Sequence, residues 1–321
     1  MKKLIIRVIK KVAKIFLEDI MSELEHLKSE NMKLKENINE IGRDNALLRY
    51  YVYSLQLDFS RYHTAWQRLA MLDATPIHSN QLKTLHSLFP VCEIDLPLKR
   101  IGNIGDGGYV MVDDFINKKI AYSFGICDDV SWDMGMVSAG ISRVYMYDHT
   151  IESLPEENAA FSWHKEGITG IYDSSKPELK SLEQFLLENN HTCEDGIILK
   201  MDVEGAEWEV LENTPSEIWD KFSQITMEMH WLLNEANYSK IVNALKNINK
   251  THIPIYVHGN NNEGYELGYG YAIPDVLEVT YVNLREYKNH IRNKKIEYPA
   301  EFDIKNNSLR SEIILGRWGK D

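Results

Sequence analysis

Gly196-Ile-Ile-Leu-Lys-Met-Asp-Val-Glu-Gly-Ala-Glu-Trp-Glu-Val-Leu-Glu212 decides the fold class. Its first part, Gly196 to Asp202, is a short apolar run closing on an acid, and from Ala206 to Glu212 the spacing turns helical. An apolar run of that length is a buried strand, because a strand covered on both faces needs no polar alternation. A glycine-containing turn then leads at once into a helix. Similar runs occur at Ile120–Gly125, Arg143–Asp148, Phe222–His230 and Ile253–His258. Helical patterns fill 131–140, 178–189, 206–213 and 234–249. Strands alternating with helices predict an α/β fold with a doubly wound, mostly parallel sheet.

Ligands of such sheets sit beyond the carboxyl ends of the strands. Those ends carry Gly125, Asp148, Asp202, His230 and His258. Gly125 lets a ligand approach the backbone, and Asp148 suits the hydroxyls of a ribose. The loop Gly105-Asp-Gly-Gly-Tyr109 offers backbone donors at Gly107 and Gly108, and Asp106 suits a ligand ammonium. No Gly-x-Gly-x-x-Gly fingerprint follows Gly125, and the turn carries Asp128 and Asp129 instead. A pyrophosphate would meet carboxylates there, whereas an amine with a sulfonium would be welcome.

Composition narrows the function classes. Of 321 residues, 36 are basic and 48 acidic, for a formal charge of −12, which excludes a general nucleic-acid binder. The chain is 44% hydrophobic and 26% charged, enough for a core. Cys92, Cys127 and Cys193 form no paired spacing, so neither a disulfide framework nor a thiolate zinc site is expected, and a cytoplasmic location is the default.

The organisation is read as four segments: 1–19, 20–72, 73–98 and 99–321. In the first, Leu4, Ile5, Val8, Ile9, Val12, Ile15 and Phe16 share one helical face opposite Lys10, Lys11 and Lys14. This is a basic amphipathic helix, suited to peripheral contact at the inner face of a membrane or to packing internally. From Ile20, steps of four and three reach Leu24, Leu27, Asn31, Leu34, Ile38, Ile41, Asn45 and onward to Leu69. That heptad seam predicts a coiled coil, and asparagines at two a positions favour a parallel dimer, so self-association through 20–69 is expected. Residues 73–98, with Pro76, Pro90 and Pro97 around a helical pattern at Ser79–Phe89, read as a connection to a body at 99–321.

Leu199-Lys-Met-Asp-Val-Glu-Gly-Ala-Glu-Trp208 resembles the Lys-x-Asp-x-Glu-Gly-x-Glu signature of FkbM-type S-adenosylmethionine (SAM)-dependent methyltransferases. Arg100–Tyr109, Ser123–Asp133, Tyr147-Asp-His-Thr150, Glu228-Met-His230, His258-Gly-Asn-Asn261 and Ile273–Glu278 resemble further blocks, in order, over about 99–282. The resemblance implies a Rossmann-like class I methyltransferase fold, SAM as cofactor, and O-methylation of a sugar hydroxyl in a surface or lipid-linked glycan. It departs at Ile126-Cys127-Asp128, where a glycine-rich turn is more usual. The residues expected to hold SAM are Asp106, Gly107, Gly108, Gly125 and Asp148.

A weakly acidic hydroxyl needs a base or a metal. Asp202, Glu204, His230 and His258 are the expected catalytic groups, either as a histidine base oriented by a carboxylate or as an Asp202/His230/His258 set for a divalent metal ion. Glu207 is read as a helix cap, His149 and His164 as surface or packing residues, and Trp208, Val210 and Leu211 as core. Two other readings compete: a nicotinamide oxidoreductase, through Asp148 and a ribose, and a coiled-coil scaffold with a non-catalytic body.

Overall fold

In a computed structural model of the chain, residues 79–319 are described continuously, together with helical positions at 21–23, 25, 26, 28, 29, 63, 64, 66, 67, 70 and 71. The amphipathic helix at 1–19 and nearly all of the heptad seam lie outside the described residues. The chain divides into two units, Met1–His63 and Thr64–Asp321. Among the described residues no helix is long and apolar enough to cross a membrane.

The second unit is built on seven strands: β1 (Ile120–Phe124), β2 (Arg143–Tyr147), β3 (Phe161–His164), β4 (Ile197–Met201), β5 (Phe222–Met229), β6 (His252–Gly259) and β7 (Leu277–Asn283). Their spatial order is β3-β2-β1-β4-β5-β7-β6. The first five pair in parallel, and β7 inserts antiparallel between β5 and β6. The order reverses between β1 and β4, which is the topological switch point of a doubly wound sheet.

Alternating side chains fill two cores. Tyr122, Phe124, Tyr147, Leu199 and Met201 join one cluster, while Ala121, Val144, Met146 and Ile198 face the other. The first is covered by α1 (Ser79–Leu88), α3 (Leu182–Glu188), α4 (Glu207–Asn213) and α5 (Tyr238–Ile248), the second by α2 (Ser131–Ser138). With every residue of β4, β5, β6 and β7 buried, both faces are occupied, as the apolar runs require. α3 begins at Ser181, whose side chain accepts from Gln184 N while the Gln184 side chain returns to the Ser181 backbone, satisfying two orphan helix donors.

Two strands of this sheet escape the sequence reading. β3 is a half-exposed edge strand with no apolar run, and β7 reads as an isolated motif because Glu278 and Thr280 interrupt it. A four-stranded antiparallel sheet (Tyr265–Gly268, Tyr271–Pro274, Gly316–Trp318, Ile296–Tyr298) is also added beside the body.

The body begins earlier than position 99. Leu82, Leu85 and Phe89 of the expected connector are at most 3% exposed and belong to the main core. Gln67, fully buried, donates from Nε2 to Ile314 O and accepts at Oε1 from Ile314 N, as a neighbouring strand residue would. Gly270 N donates to Met71 O. The last helical turns of the segment read as coiled coil therefore belong to the body.

Candidate active site

At the switch point a cavity of about 580 Å³ opens beyond the ends of β1, β2, β4 and β5. Its wall includes Asp106, Gly107, Gly125, Asp148, Asp202 and Glu204, so most of the residues expected from the sequence converge there.

Gly125 makes the floor possible. Its φ is +77°, and a Cβ at this position would lie 1.6 Å from the carbonyl oxygen of Asp202. Only glycine allows β1 and β4 to end that close together. Lys200, 5% exposed, donates from Nζ to Gly125 O at 2.6 Å and sits 3.8 Å from Asp202 Oδ2. The lysine of the Lys-x-Asp motif is thus spent on holding the turn. Beside it Asp133 is 1% exposed, and burial pushes its carboxyl up to about 7 even though the Lys200 charge opposes this.

Asp148 stands on the wall with every acceptor direction in use. Oδ2 takes Ile126 N and Cys127 N at 2.9 and 3.0 Å, and Oδ1 takes Thr150 N and Oγ1 at 2.8 and 2.6 Å. Burial pushes its carboxyl up, but these donors outweigh that and hold it below the ordinary aspartate value. Cys127, at φ +48°, is bent into this arrangement, which replaces the usual glycine-rich turn. A ribose would have to displace or share these bonds, a demand invisible in the sequence.

Gly108 does not line the cavity. A Cβ there would lie 2.1 Å from Asn103 O and 2.8 Å from Arg100 Nε, so this glycine serves the fold of its own loop, which Arg100 ties together through Asn103 O and Gly105 O. Asp106 faces the cavity and accepts from Asn306 Nδ2 at 3.0 Å.

The edge that carries the expected catalytic groups centres on His230. Glu207 is fully buried, and its Oε1 accepts from His230 N at 2.7 Å and meets His230 Nδ1 at 3.0 Å. Its Oε2 accepts from Gly205 N at 2.9 Å. Glu207 is therefore the orienting partner of His230, and the capping role read from its place in the first turn of α4 is corrected. Trp208 Nε1 donates to His230 O at 2.6 Å, fixing the same residue from its carbonyl side. Trp208, Val210 and Leu211 are core residues, as expected.

The other ring nitrogen, Nε2, faces Glu204 Oε2 at 3.5 Å, and Asp202 Oδ1 and Glu228 Oε2 each at 4.0 Å. Burial alone would push the ring down. The Glu207 bond and the charges of Glu207, Glu228 and Asp202 prevail and hold it up at about 9. Glu228, missed by the sequence reading, is 7% exposed and reaches the cavity. Burial, then the charges of Asp202 and Glu278, push its carboxyl well above the ordinary glutamate value. Tyr109 closes the base of this group, its hydroxyl donating to Asp202 Oδ2 at 3.4 Å.

His258 is elsewhere. Its Nδ1 pairs with Asp303 Oδ1 at 2.9 Å and its Nε2 meets Asn306 Oδ1 at 3.0 Å, so neither nitrogen is available. The Asp202/His230/His258 metal set is not assembled. Register explains why: β7 places Glu278 between Glu228 of β5 and His258 of β6. Among the described residues, the ligand-bearing groups that do converge, with one ligand atom each within 4.8 Å of the others, are Asp202, Glu228 and His230, and Asp106, Glu228 and Glu278. His149, read as a surface or packing residue, is exposed and packs its ring against Gly167, and it also lines the cavity. Only the strand order, not the local sequence, carried that signal.

Residues 118–267 match the family model described as the methyltransferase FkbM domain. The matched span runs from β1 to the hairpin after β6 and contains Gly125, Asp148, Asp202, Glu204, Glu207, Glu228 and His230. Among solved structures, a candidate methyltransferase from Streptococcus mutans, in complex with SAH, aligns over 66% of this chain and 99% of its own, at 9% identity and a TM-score of 0.29. No curated protein matches the chain.

Proposed function

We propose that the protein transfers the methyl group of SAM to a hydroxyl of a glycan acceptor. The observation that carries this reading is the charge of the cavity. Six carboxylates line it (Asp106, Asp128, Asp129, Asp148, Asp202, Glu204) beside the buried carboxyl of Glu228, against one lysine, Lys200, already committed to Gly125 O. Such a wall attracts a ligand with sulfonium and ammonium charges and repels a dinucleotide pyrophosphate. The charge therefore also counts against a nicotinamide cofactor.

Bound there, SAM supplies an electrophilic methyl group. Asp148 and the turn it braces take the ribose side, and Asp106, Gly107 and Gly125 take the amino-acid side. Methyl transfer is an in-line displacement, so the residues mainly align the acceptor oxygen with the methyl carbon. When bound, SAM would supply the methyl group to the acceptor oxygen with its sulfur as leaving group, while Nε2 of a neutral His230 would take the hydroxyl proton and Glu207 would stabilise the resulting imidazolium. A positive sulfonium nearby favours that neutral ring before reaction. Calorimetric titration with SAH and with NADH tests the reading: SAH binding without NADH binding is expected, and the reverse overturns it.

A second reading uses the same nitrogen. Asp202, Glu228 and His230 have the donor types and convergence for a divalent cation, which would lower the acceptor hydroxyl's pKa as a Lewis acid. Loss of activity on chelation, restored by a divalent ion, would favour it over the base.

From the heptad spacing we further propose self-association through 20–69, with 1–19 bringing the enzyme to an anionic membrane face where lipid-linked glycans are built.

A further inference from the structure

Three of the positive-φ positions outside glycine-rich turns and loop tips are unusual in what surrounds them. Glu204 (φ +52°), Gly205 (φ +96°) and Trp231 (φ +57°) meet at the rim of the catalytic edge. A tryptophan in the left-handed region persists only where its surroundings impose it. Here Glu207 clamps His230 N on one side, and Asp275 clamps Leu232 N and Leu233 N on the other. The indole lies over Gly205, where a Cβ would come within 2.2 Å of Cζ3 and 2.6 Å of Cε3. Its centre is 6.3 Å from that of the His230 ring. Yet Trp231 is 46% exposed, while its neighbour Leu232 is 1% exposed. The fold thus builds a flat aromatic shelf, backed by a glycine, next to the Nε2 that receives the proton.

We propose that this shelf is the acceptor subsite, and that it takes the nonpolar face of a pyranose ring. The deduction rests on the methyl-transfer reading. An indole face carries negative quadrupole density and attracts the weakly positive C–H groups on one side of a sugar ring. The sugar's rim needs hydrogen-bonding groups instead, and Glu204, whose side chain is 79% exposed and whose Oε2 is 3.5 Å from His230 Nε2, supplies an acceptor beside the shelf. A flat apolar face, an exposed carboxylate and a proton acceptor at one rim fit a polyhydroxylated ring better than a lipid chain, which would leave Glu204 unpaired, or a phosphorylated group, which would meet its charge.

The test uses full-length protein labelled with 5-fluorotryptophan, in which the Trp231 resonance is identified by its loss in Trp231→Phe. Methyl glucopyranoside, galactopyranoside and mannopyranoside are titrated with and without SAH, and SAH binding is measured separately by calorimetry. The expected result is a shift of the Trp231 resonance alone, with at least one glycoside. Trp231→Ala should abolish saturation transfer to that glycoside and leave SAH affinity within about twofold. A Trp231 resonance unmoved by all three glycosides overturns the shelf, as does undiminished saturation transfer in Trp231→Ala. If SAH does not bind, the methyl-transfer reading falls, and the shelf is still judged by the indole response in SAH-free protein.

Discussion

Glu207→Gln probes the geometry around His230 most directly. The side chain keeps its shape but loses its charge, and its single oxygen cannot serve all three donors that Glu207 now satisfies. With that oxygen toward His230, the new amide nitrogen faces Gly205 N–H, donor against donor. Losing a buried bond to a charged acceptor costs about 1.5–3 kcal/mol. The lost charge adds a pH-dependent part. The His230 ring is held at about 9 rather than its ordinary 6.5, and each pKa unit is worth about 1.4 kcal/mol. Because Glu228 and Asp202 share the effect, roughly 2 kcal/mol is assigned to Glu207 by the same conversion. A raised histidine pKa stabilises the fold fully below about pH 6.5, and that contribution fades as pH climbs through about 9. Urea unfolding of both proteins from pH 6 to pH 10 should therefore show a gap that is widest near pH 6 and narrows by roughly 2 kcal/mol toward pH 10. In turnover, the limb that rises with pH should shift toward acid in the variant, and the plateau should fall by about 10²-fold or more. A stability gap that is flat across this range, or an unshifted limb, would refute the charged Glu207–His230 pair as the source of both effects.

Other outcomes follow from single contacts. Gly125→Ala must abandon φ +77° and move the Asp202 carbonyl, so a loss of roughly 2–5 kcal/mol in thermal or chemical unfolding is expected, and wild-type stability would show that the turn is not packed this tightly. Asp148→Ala frees four donors of the turn and should weaken SAH binding by about 1–3 kcal/mol in calorimetry; unchanged affinity in a folded variant would remove Asp148 from the ribose side. His258→Gln breaks the buried pair with Asp303 and should lower stability by about 3–5 kcal/mol while the pH limb of turnover stays in place; an acid or alkaline shift of that limb would return His258 to the catalytic group. Light scattering on the full chain should give twice the 37.3 kDa monomer mass and on a variant lacking residues 1–62 the mass of one truncated chain, whereas a monomeric full chain defeats self-association through the heptads.

Five strands, the helices between them and six residues of the cavity wall could be read from the chain alone, because apolar runs, turn glycines and helical spacing are local properties. Gly125, Asp148 and Asp202 close parallel strands that all end at one edge, so placing them together needed only the fold class. What tertiary structure decided is non-local. Glu207 and His230 are 23 residues apart, and they meet because the first turn of α4 packs under the end of β5. His258 sits at a strand end like the others, yet the antiparallel insertion of β7 puts Glu278 between it and Glu228 and turns it toward Asp303. Gly108 belongs to the same short motif as Gly107, but one lines the cavity and the other makes room for Arg100. Spacing along a chain reports which face a side chain takes, whereas partners are set by strand order and register, and those are fixed only when the whole sheet is assembled.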